Sequence, residues 1–186
     1  MEIRAEKPED IDAIREANTV AFKRKGEAEL VDRLRDSVPT ISLVALEAKQ
    51  IIGHVLFSPV KIDGAPEGNE TLQDKTPKVH RQQSEGIFAV GLAPIAVRPD
   101  YQRQGIGSEL IRQGLQECAN QGIKAIFVLG DSAYYSRFGF KPAKVKGLKC
   151  EYSVPDDAFM ALELQENGLA DCAGTVKYSA AFAQLK

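Results

Sequence analysis

Two glycines and an arginine lie at the start of an amphipathic segment, in the stretch YQRQGIGSEL from Tyr101 to Leu110. Unpaired backbone N–H groups at a helix start bind anions, and glycine lets the backbone approach a phosphate without a Cβ in the way. Residues Gln104 through Ser108 can direct several amides at one point, and Arg103 adds a guanidinium that pairs with phosphate oxygens. The stretch therefore predicts a pyrophosphate site. The alternative is that Gly105 and Gly107 only permit a tight turn.

Two other phosphate-binding patterns fit this stretch poorly. A P-loop requires Lys and Ser or Thr directly after its last glycine, whereas Gly107 is followed by Ser108 and Glu109. A dinucleotide fingerprint requires a small residue where Leu110 stands, and its first glycine should directly follow the strand. An unrelated nucleotide-binding α/β protein is therefore a weak alternative.

The chain before this loop predicts a strand, two helices and a strand pair. MEIRAE alternates as a strand does, and KPEDIDAIREANTVAF follows with Pro8 at the first helical position. A second helix is predicted over Glu27–Arg35. The runs TISLVALE and QIIGHVLFSPVKI predict an antiparallel pair joined by a tight turn. Residues Asp63–Ser84 are polar and lack periodicity, which predicts a long loop.

The segments around the glycine loop predict a strand, a helix and a second, parallel strand. FAVGLAPIAVRP is an apolar strand whose Pro94 indicates either a sheet edge or a bulge where the strand parts from a neighbour. The helix ends at Gly122, and KAIFVLG forms the next strand of a βαβ unit. SAYYSRFGF predicts a short helix stopped at Gly139, and FMALEL predicts a late strand.

Composition indicates one globular domain and excludes several classes of protein. The 186 residues are 44% hydrophobic and 27% charged, and the formal net charge of -2 gives no basic surface for nucleic acid. Three cysteines without CxxC spacing and two histidines form no zinc motif, so no metal is expected. The start of the chain lacks a signal-peptide pattern, and its longest apolar run is about half a membrane span. We therefore expect a cytoplasmic protein with reduced thiols and no membrane partner.

Two motifs resemble the GNAT superfamily, the GCN5-related N-acetyltransferases. IAVRPDYQRQGIGSELI is similar to the family pattern Q/R-x-x-G-x-G/A, with Gln102, Gly105 and Gly107 at its defining positions. YSRFGF, from Tyr135 to Phe140, is similar to the second hallmark, a tyrosine before a terminal GF. The order of elements also matches over most of the chain, within a branch of predicted bacterial acetyltransferases. The implied fold is α/β (α+β): one domain with a central mixed sheet, splayed at a bulged strand, and helices on both faces.

The resemblance implies acetyl-CoA as cosubstrate and an N-acetyltransferase reaction. The pyrophosphate is expected on the loop, and the pantetheine arm along the strand Ile95–Val97, where a backbone amide stabilises negative charge on the thioester oxygen. Tyr135 is expected to donate a proton to the departing thiolate, with packing as its alternative role; Tyr134 is expected to pack or to line the acceptor site. The implied donor-binding residues are Ile95, Ala96, Val97, Gln102, Arg103, Gln104, Gly105, Ile106, Gly107 and Ser108.

The general base is not assigned by the sequence. Many family members carry an acidic residue just before the pantetheine segment, where this chain has Ala93 and Pro94. Glu85 and His54 are candidates, but a surface charge or a satisfied polar residue is favoured for each. An amine with a low pKa needs no base, since enough of it is neutral near pH 7.

Two functions remain on the sequence evidence, besides the weak nucleotide-binding alternative. The favoured one is an N-acetyltransferase acting on a primary amine of a small molecule or protein by direct transfer in a ternary complex. The alternative is a non-catalytic CoA-binding sensor or interaction module. We expect residues 1–164 to form the acetyltransferase domain and residues 165–186 an extension packed on it. Its TVKY segment predicts an added strand that packs, completes the acceptor pocket or forms a homodimer contact.

Overall fold

The computed structural model describes residues 1–64 and 88–185 of the chain. Four α-helices and ten strands occur in those ranges, together with short 3-10 turns. No helix in those ranges is long and apolar enough to cross a membrane. The helices are α1 (Ile11–Phe22), α2 (Gly26–Ser37), α3 (Ile106–Asn120) and α4 (Ser132–Tyr135); the strands are β1 (Glu2–Ala5), β2 (Ile41–Glu47), β3 (Gln50–Pro59), β4 (Lys61–Ile62), β5 (Ala89–Val97), β6 (Ala125–Leu129), β7 (Lys141–Pro142), β8 (Leu148–Cys150), β9 (Phe159–Glu163) and β10 (Gly174–Lys177).

Seven strands form the main sheet, in the order β1-β2-β3-β5-β6-β9-β7. The pairs β1–β2, β2–β3, β3–β5, β6–β9 and β7–β9 are antiparallel, and β5–β6 is parallel. Helix α3 connects β5 to β6, as a parallel pair requires. The mixed α/β architecture expected from the sequence is confirmed, including the tight turn between β2 and β3, where Ala48 and Lys49 adopt positive φ.

The main sheet opens at the middle of β5. Pairing of β5 with β6 covers only Ala89 to Gly91, whereas pairing with β3 continues to Val97. The β3–β5 register shifts opposite Leu56, because Ala93 and Pro94 occupy the space of one residue there. The second half of β5 therefore carries a neighbour on one side and an open edge on the other. This confirms the bulged, parting strand that Pro94 predicts.

Helices cover both faces of the sheet, and the side chains of β2 show how the faces divide. Leu43 and Ala45 pack in the cluster that contains Ile106, Leu110 and Ile111 of α3. Val44, between them, packs in the cluster formed with α1 and α2. Successive side chains of β2 therefore point to opposite faces of the sheet and contribute to two apolar layers. The α3 layer also includes Val55, Phe57, Leu92, Val128 and Phe140, and the α1/α2 layer includes Ile14, Ala17, Leu30, Val31, Leu34 and Leu56.

A second, three-stranded sheet of order β4-β10-β8 lies at one end of the molecule. Strand β10 pairs antiparallel with β4 and parallel with β8. Its Val176 is fully buried in a cluster with Phe127 and Phe159 of the main sheet. The TVKY segment therefore forms a strand, as predicted, and packs on the main sheet through that cluster.

Some elements differ from the sequence prediction. The run QIIGHVLFSPVKI forms two strands, because β3 ends at Pro59 and β4 joins the other sheet. Helix α2 begins one residue earlier and ends two residues later than predicted. Strands β7 and β8 were not predicted. The predicted loop Asp63–Ser84 falls almost wholly outside the described residues.

Candidate functional site

An open cleft of about 420 Å³ lies beside the start of α3. The loop contributes Arg103 and Gly105, the first turn of α3 contributes Gly107 and Ser108, and the last residue of β5 contributes Val97. Tyr134 and Arg137 come from the segment after β6, and Tyr101, Gln102 and Ile106 complete the lining. The cleft thus combines a helix N-terminus with two arginines, which suits an anionic ligand.

The loop holds its shape through two left-handed residues and a side-chain brace. Arg103 has φ of 60° and Gly105 has φ of 86°, and α3 begins directly afterwards. The amide of Gln102 donates from Nε2 to the Val97 carbonyl oxygen over 2.9 Å, which ties the loop to β5. Because Gly105 is the N-cap and has no side chain, it cannot cap the first-turn N–H groups, which remain available to a ligand.

The glycines leave room where an anion would approach. A Cβ on Gly105 would meet no atom within 4 Å, so that side of the loop opens to the cleft. A Cβ on Gly107 would lie 3.3 Å from Tyr134 Oη and 3.7 Å from a Val97 methyl group. A side chain at Gly107 would therefore fill the cleft itself.

The open edge of β5 presents backbone groups next to this cleft. Arg98 N–H donates to the Ile52 carbonyl oxygen, so alternation along the ladder directs the amide groups of Ile95 and Val97 away from β3. The Val97 carbonyl accepts from Gln102, as that orientation requires. An extended ligand can therefore pair with this edge as an added strand does.

Tyr135 is the last residue of α4 and is not among the residues that line the cleft. Asp131 caps the helix, since its carboxylate accepts from the N–H groups of Ala133 and Tyr134 over 2.7 and 3.2 Å. The Tyr135 ring is 7% exposed and packs edge-on against Phe140 and Tyr134. Its hydroxyl forms no hydrogen bond with any residue in the described ranges. Burial raises the pKa of Tyr135 to about 12, so the phenol stays protonated at neutral pH.

The residue after β6 must be small for Tyr135 to occupy this position. A Cβ on Gly130 would lie 2.4 Å from the Tyr135 ring. Glycine at this position therefore sets where the phenol ring can lie.

Tyr134 packs as predicted and also lines the cleft. Its ring packs against the α3 core layer and edge-on against Tyr135, while its hydroxyl lies beside Gly107. The four-residue helix α4 is too short for periodicity to show which tyrosine faces the loop. Arg137, two residues after Tyr135, also lines the cleft and was missed by sequence reasoning.

His54 is excluded as a general base by its surroundings. It is 0% exposed; Asn18 Nδ2 donates to its Nδ1 over 3.1 Å, and its Nε2 lies 2.9 Å from Ser42 Oγ. Because the Asn18 amide nitrogen can only donate, Nε2 carries the proton and donates to Ser42 Oγ, and the Ser42 hydroxyl donates in turn to the Glu6 carboxylate. Burial, with the nearby charge of Arg35, lowers the pKa of His54 to about 3. His54 is thus a neutral, satisfied histidine on the α1/α2 face, and Glu85 lies outside the described residues.

The structure brings most of the predicted donor-binding residues together. Val97, Gln102, Arg103, Gly105, Ile106, Gly107 and Ser108 line the cleft. Ile95 lies next to the cleft, because its Cδ1 methyl group is 3.9 Å from where a Cβ on Gly107 would lie. Ala96 is buried against the other face, and Gln104 donates to the Asp100 carbonyl oxygen over 3.1 Å instead of lining the cleft. No cluster of His, Cys, Asp or Glu suited to a metal occurs in residues 1–64 and 88–185.

Comparison with known proteins places this cleft in a family context. Residues 11–140 match the model of the acetyltransferase (GNAT) family. The chain is 35% identical over 180 residues to the uncharacterized N-acetyltransferase YhbS of Escherichia coli K12, covering 96% of each chain.

Two solved structures have the same fold and the same percentage of residues identical to this chain. The crystal structure of E. coli YhbS in complex with CoA is 35% identical, with a TM-score of 0.82 over 98% of this chain and 91% of that one. A GNAT family acetyltransferase from Brucella melitensis in complex with acetyl-CoA is also 35% identical, with a TM-score of 0.72 over 97% of both chains.

Proposed function

The chain belongs to the GNAT family of acetyltransferases, and we propose from this that it transfers the acetyl group of acetyl-CoA to a primary amine of a small molecule or protein, directly within a ternary complex. As a member of that family it is an acyl-CoA-dependent acetyltransferase. We assign residues 1–164 to the catalytic domain and 165–186 to an extension packed on it. The observation that carries the proposal is the continuity of an anion cleft with an open strand edge.

The cleft and the edge match the two ends of acetyl-CoA. The first-turn N–H groups of α3 and the Arg103 guanidinium would hold the diphosphate, with the space kept free by Gly105 and Gly107. The backbone groups of Ile95 and Val97 would pair with the two amides of the pantetheine arm. The diphosphate of acetyl-CoA would therefore lie in the cleft, and its pantetheine arm would lie along the adjacent open edge of β5.

The thioester supplies an acetyl group that is activated toward attack by an amine. The amide N–H groups on the open edge are the donors available to its carbonyl oxygen as negative charge develops there. Tyr135 is the proton donor we assign to the leaving sulfur. A free thiol has a pKa of about 8.5, and the phenol of Tyr135, which is protonated at neutral pH, has a hydrogen that the departing thiolate can accept; burial raises the pKa of this phenol, which makes it the weaker acid of the two.

No described residue is assigned as general base. The positions on β5 just before the open edge are Ala93 and Pro94, which cannot accept a proton. His54 is neutral, buried and fully engaged at Nδ1 and Nε2. The acceptor we propose is therefore an amine with enough neutral form at the working pH to attack without a base from the described residues.

Thermal unfolding with acetyl-CoA, CoA, ATP and NAD, each in large excess, tests the proposed donor site. A ligand at about 100 times its Kd adds about 2.7 kcal/mol, which for a domain of this size raises the midpoint by roughly 5–10 °C. We expect acetyl-CoA and CoA to raise the midpoint and ATP and NAD to leave it unchanged. If neither CoA species stabilises the protein, the assignment of the cleft is wrong. A positive result leads to a screen of amines by thiol release.

A further inference from the structure

The described arginines divide sharply by whether they have an acidic partner. Seven of the nine in residues 1–64 and 88–185 form an ion pair with a carboxylate; they are Arg4, Arg15, Arg24, Arg33, Arg35, Arg98 and Arg112. Arg103 and Arg137 form no ion pair with a described residue, and both line the same cleft. An arginine side chain left unpaired at a concave site is available to an anionic ligand.

Arg137 is held in place without a carboxylate. Its Nε donates to the Tyr134 carbonyl oxygen over 3.2 Å. Its guanidinium lies 4.4 Å from the centroid of the Tyr134 ring and 5.6 Å from that of Phe138. These contacts hold the guanidinium without neutralising its charge, and its two terminal nitrogens form no hydrogen bond with a described residue.

Tyr134 connects this arginine to the glycine loop. Its hydroxyl reaches the first turn of α3 beside Gly107, while its ring supports the guanidinium of Arg137. Arg103 comes from the glycine loop and Arg137 from the turn after α4, and both line the cleft. A ligand at the start of α3 would therefore share this cleft with two positive charges carried by different elements.

We propose that Arg137, supported by the Tyr134 ring, binds a phosphate group of the donor in the cleft that it shares with Arg103. This rests on the proposed function and adds to it a residue outside the glycine loop. CoA carries both a diphosphate and a 3′-phosphate, so one arginine and a helix N-terminus leave negative charge to be matched. A planar guanidinium suits either phosphate, because its paired N–H groups match phosphate oxygens.

Arg112 provides a matched control. Its guanidinium also lies 5.6 Å from the Phe138 centroid, but it pairs with Glu109 over 3.6 Å and does not line the cleft. Glutamine at either position removes the charge and keeps most of the side-chain length.

Titration calorimetry of wild-type, Arg137→Gln and Arg112→Gln proteins with CoA tests the proposal. We expect Arg137→Gln to raise the Kd about tenfold, equivalent to about 1.4 kcal/mol, and Arg112→Gln to change it less than twofold. The dependence of log Kd on log salt concentration should become shallower only for Arg137→Gln, because an ionic contact has been lost. Arg137→Lys should restore that slope and part of the affinity.

A parallel titration with 3′-dephospho-CoA identifies the phosphate. If Arg137→Gln raises the Kd for 3′-dephospho-CoA as much as it raises the Kd for CoA, Arg137 binds the diphosphate. If the substitution raises only the Kd for CoA, Arg137 binds the 3′-phosphate. Both results support the proposal. A Kd for Arg137→Gln within twofold of wild type, or an unchanged salt dependence, overturns it, since packing on Tyr134 alone would not alter that slope. Wild-type protein that fails to bind CoA would instead overturn the proposed function, and this inference with it.

Discussion

Replacing Tyr135 with phenylalanine separates its proposed chemical role from its packing role. The ring is held by Phe140 and Tyr134 and rests against Gly130, and all these contacts survive the substitution. The hydroxyl has no hydrogen-bond partner among the described residues, so its removal leaves no buried group unsatisfied. We therefore expect the midpoint of thermal unfolding to change by no more than about 1–2 °C, since a difference of a few tenths of a kcal/mol shifts it that little.

The expected effect on turnover is much larger. General acid catalysis typically contributes a factor of about 10²–10⁴, which corresponds to roughly 2.7–5.4 kcal/mol in the activation barrier. Loss of the hydroxyl should therefore lower kcat at least about a hundredfold. The Kd for CoA should stay within about twofold, because the proposed donor site is the cleft and the open edge of β5, where Tyr135 does not line the cleft.

The assay follows thiol release with an amine acceptor from the screen, alongside calorimetric Kd values and unfolding midpoints. Tyr152→Phe is the matched control: burial raises the pKa of this tyrosine too, but it lies near the second sheet and not in the cleft. We expect its kcat to match wild type. Retention of kcat within about threefold in Tyr135→Phe would refute the assignment. A parallel fall in kcat, affinity and unfolding midpoint would show that the residue acts through packing.

Two further predictions concern the core. Gly114→Ala should lower the free energy of unfolding by about 1–3 kcal/mol in urea titrations, because the new Cβ would lie 2.4 Å from the Phe57 ring; a urea midpoint at or above wild type would contradict this packing. His54 should show no imidazole titration between pH 5 and 8 by NMR, with His80→Gln used for assignment. Since its pKa is lowered to about 3 in the folded state, its contribution to stability is complete above pH 6.5 and is lost as pH falls toward 3, by up to about 1.4 kcal/mol per pH unit. Titration of His54 near pH 6.5 would show that the side chain is accessible.

The glycine loop could be interpreted from sequence because its chemistry is local. The left-handed backbone at Gly105, the start of α3 immediately after it, and the missing Cβ at Gly107 all depend on residues within one short stretch. Pro94 likewise predicts an irregularity at its own position in β5, because proline has no N–H to donate to a neighbouring strand. The bulge and the open edge of β5 follow from that single residue type.

Several features of the structure are not indicated by any local pattern in the sequence. Strands β7 and β8 have two and three residues, too few to show alternation. The direction of the Tyr134 side chain depends on how α4 packs, because the helix completes barely one turn. The neutrality of His54 depends on its complete burial and on the nearby charge of Arg35, which comes from another element.

The sequence by itself predicted the order of the main elements, the glycine loop as a candidate anion site and Tyr135 as the candidate donor. These follow from local backbone preferences and from motifs whose members are close in the chain. Only the tertiary structure decided which charges are neutralised. Arg35 pairs with Glu6 and Arg98 with Glu16 across long stretches of sequence, whereas Arg137 is left with an aromatic support and no described carboxylate. Charge pairing depends on distances of a few ångströms between separate elements, and those distances are set only when the helices and strands pack together.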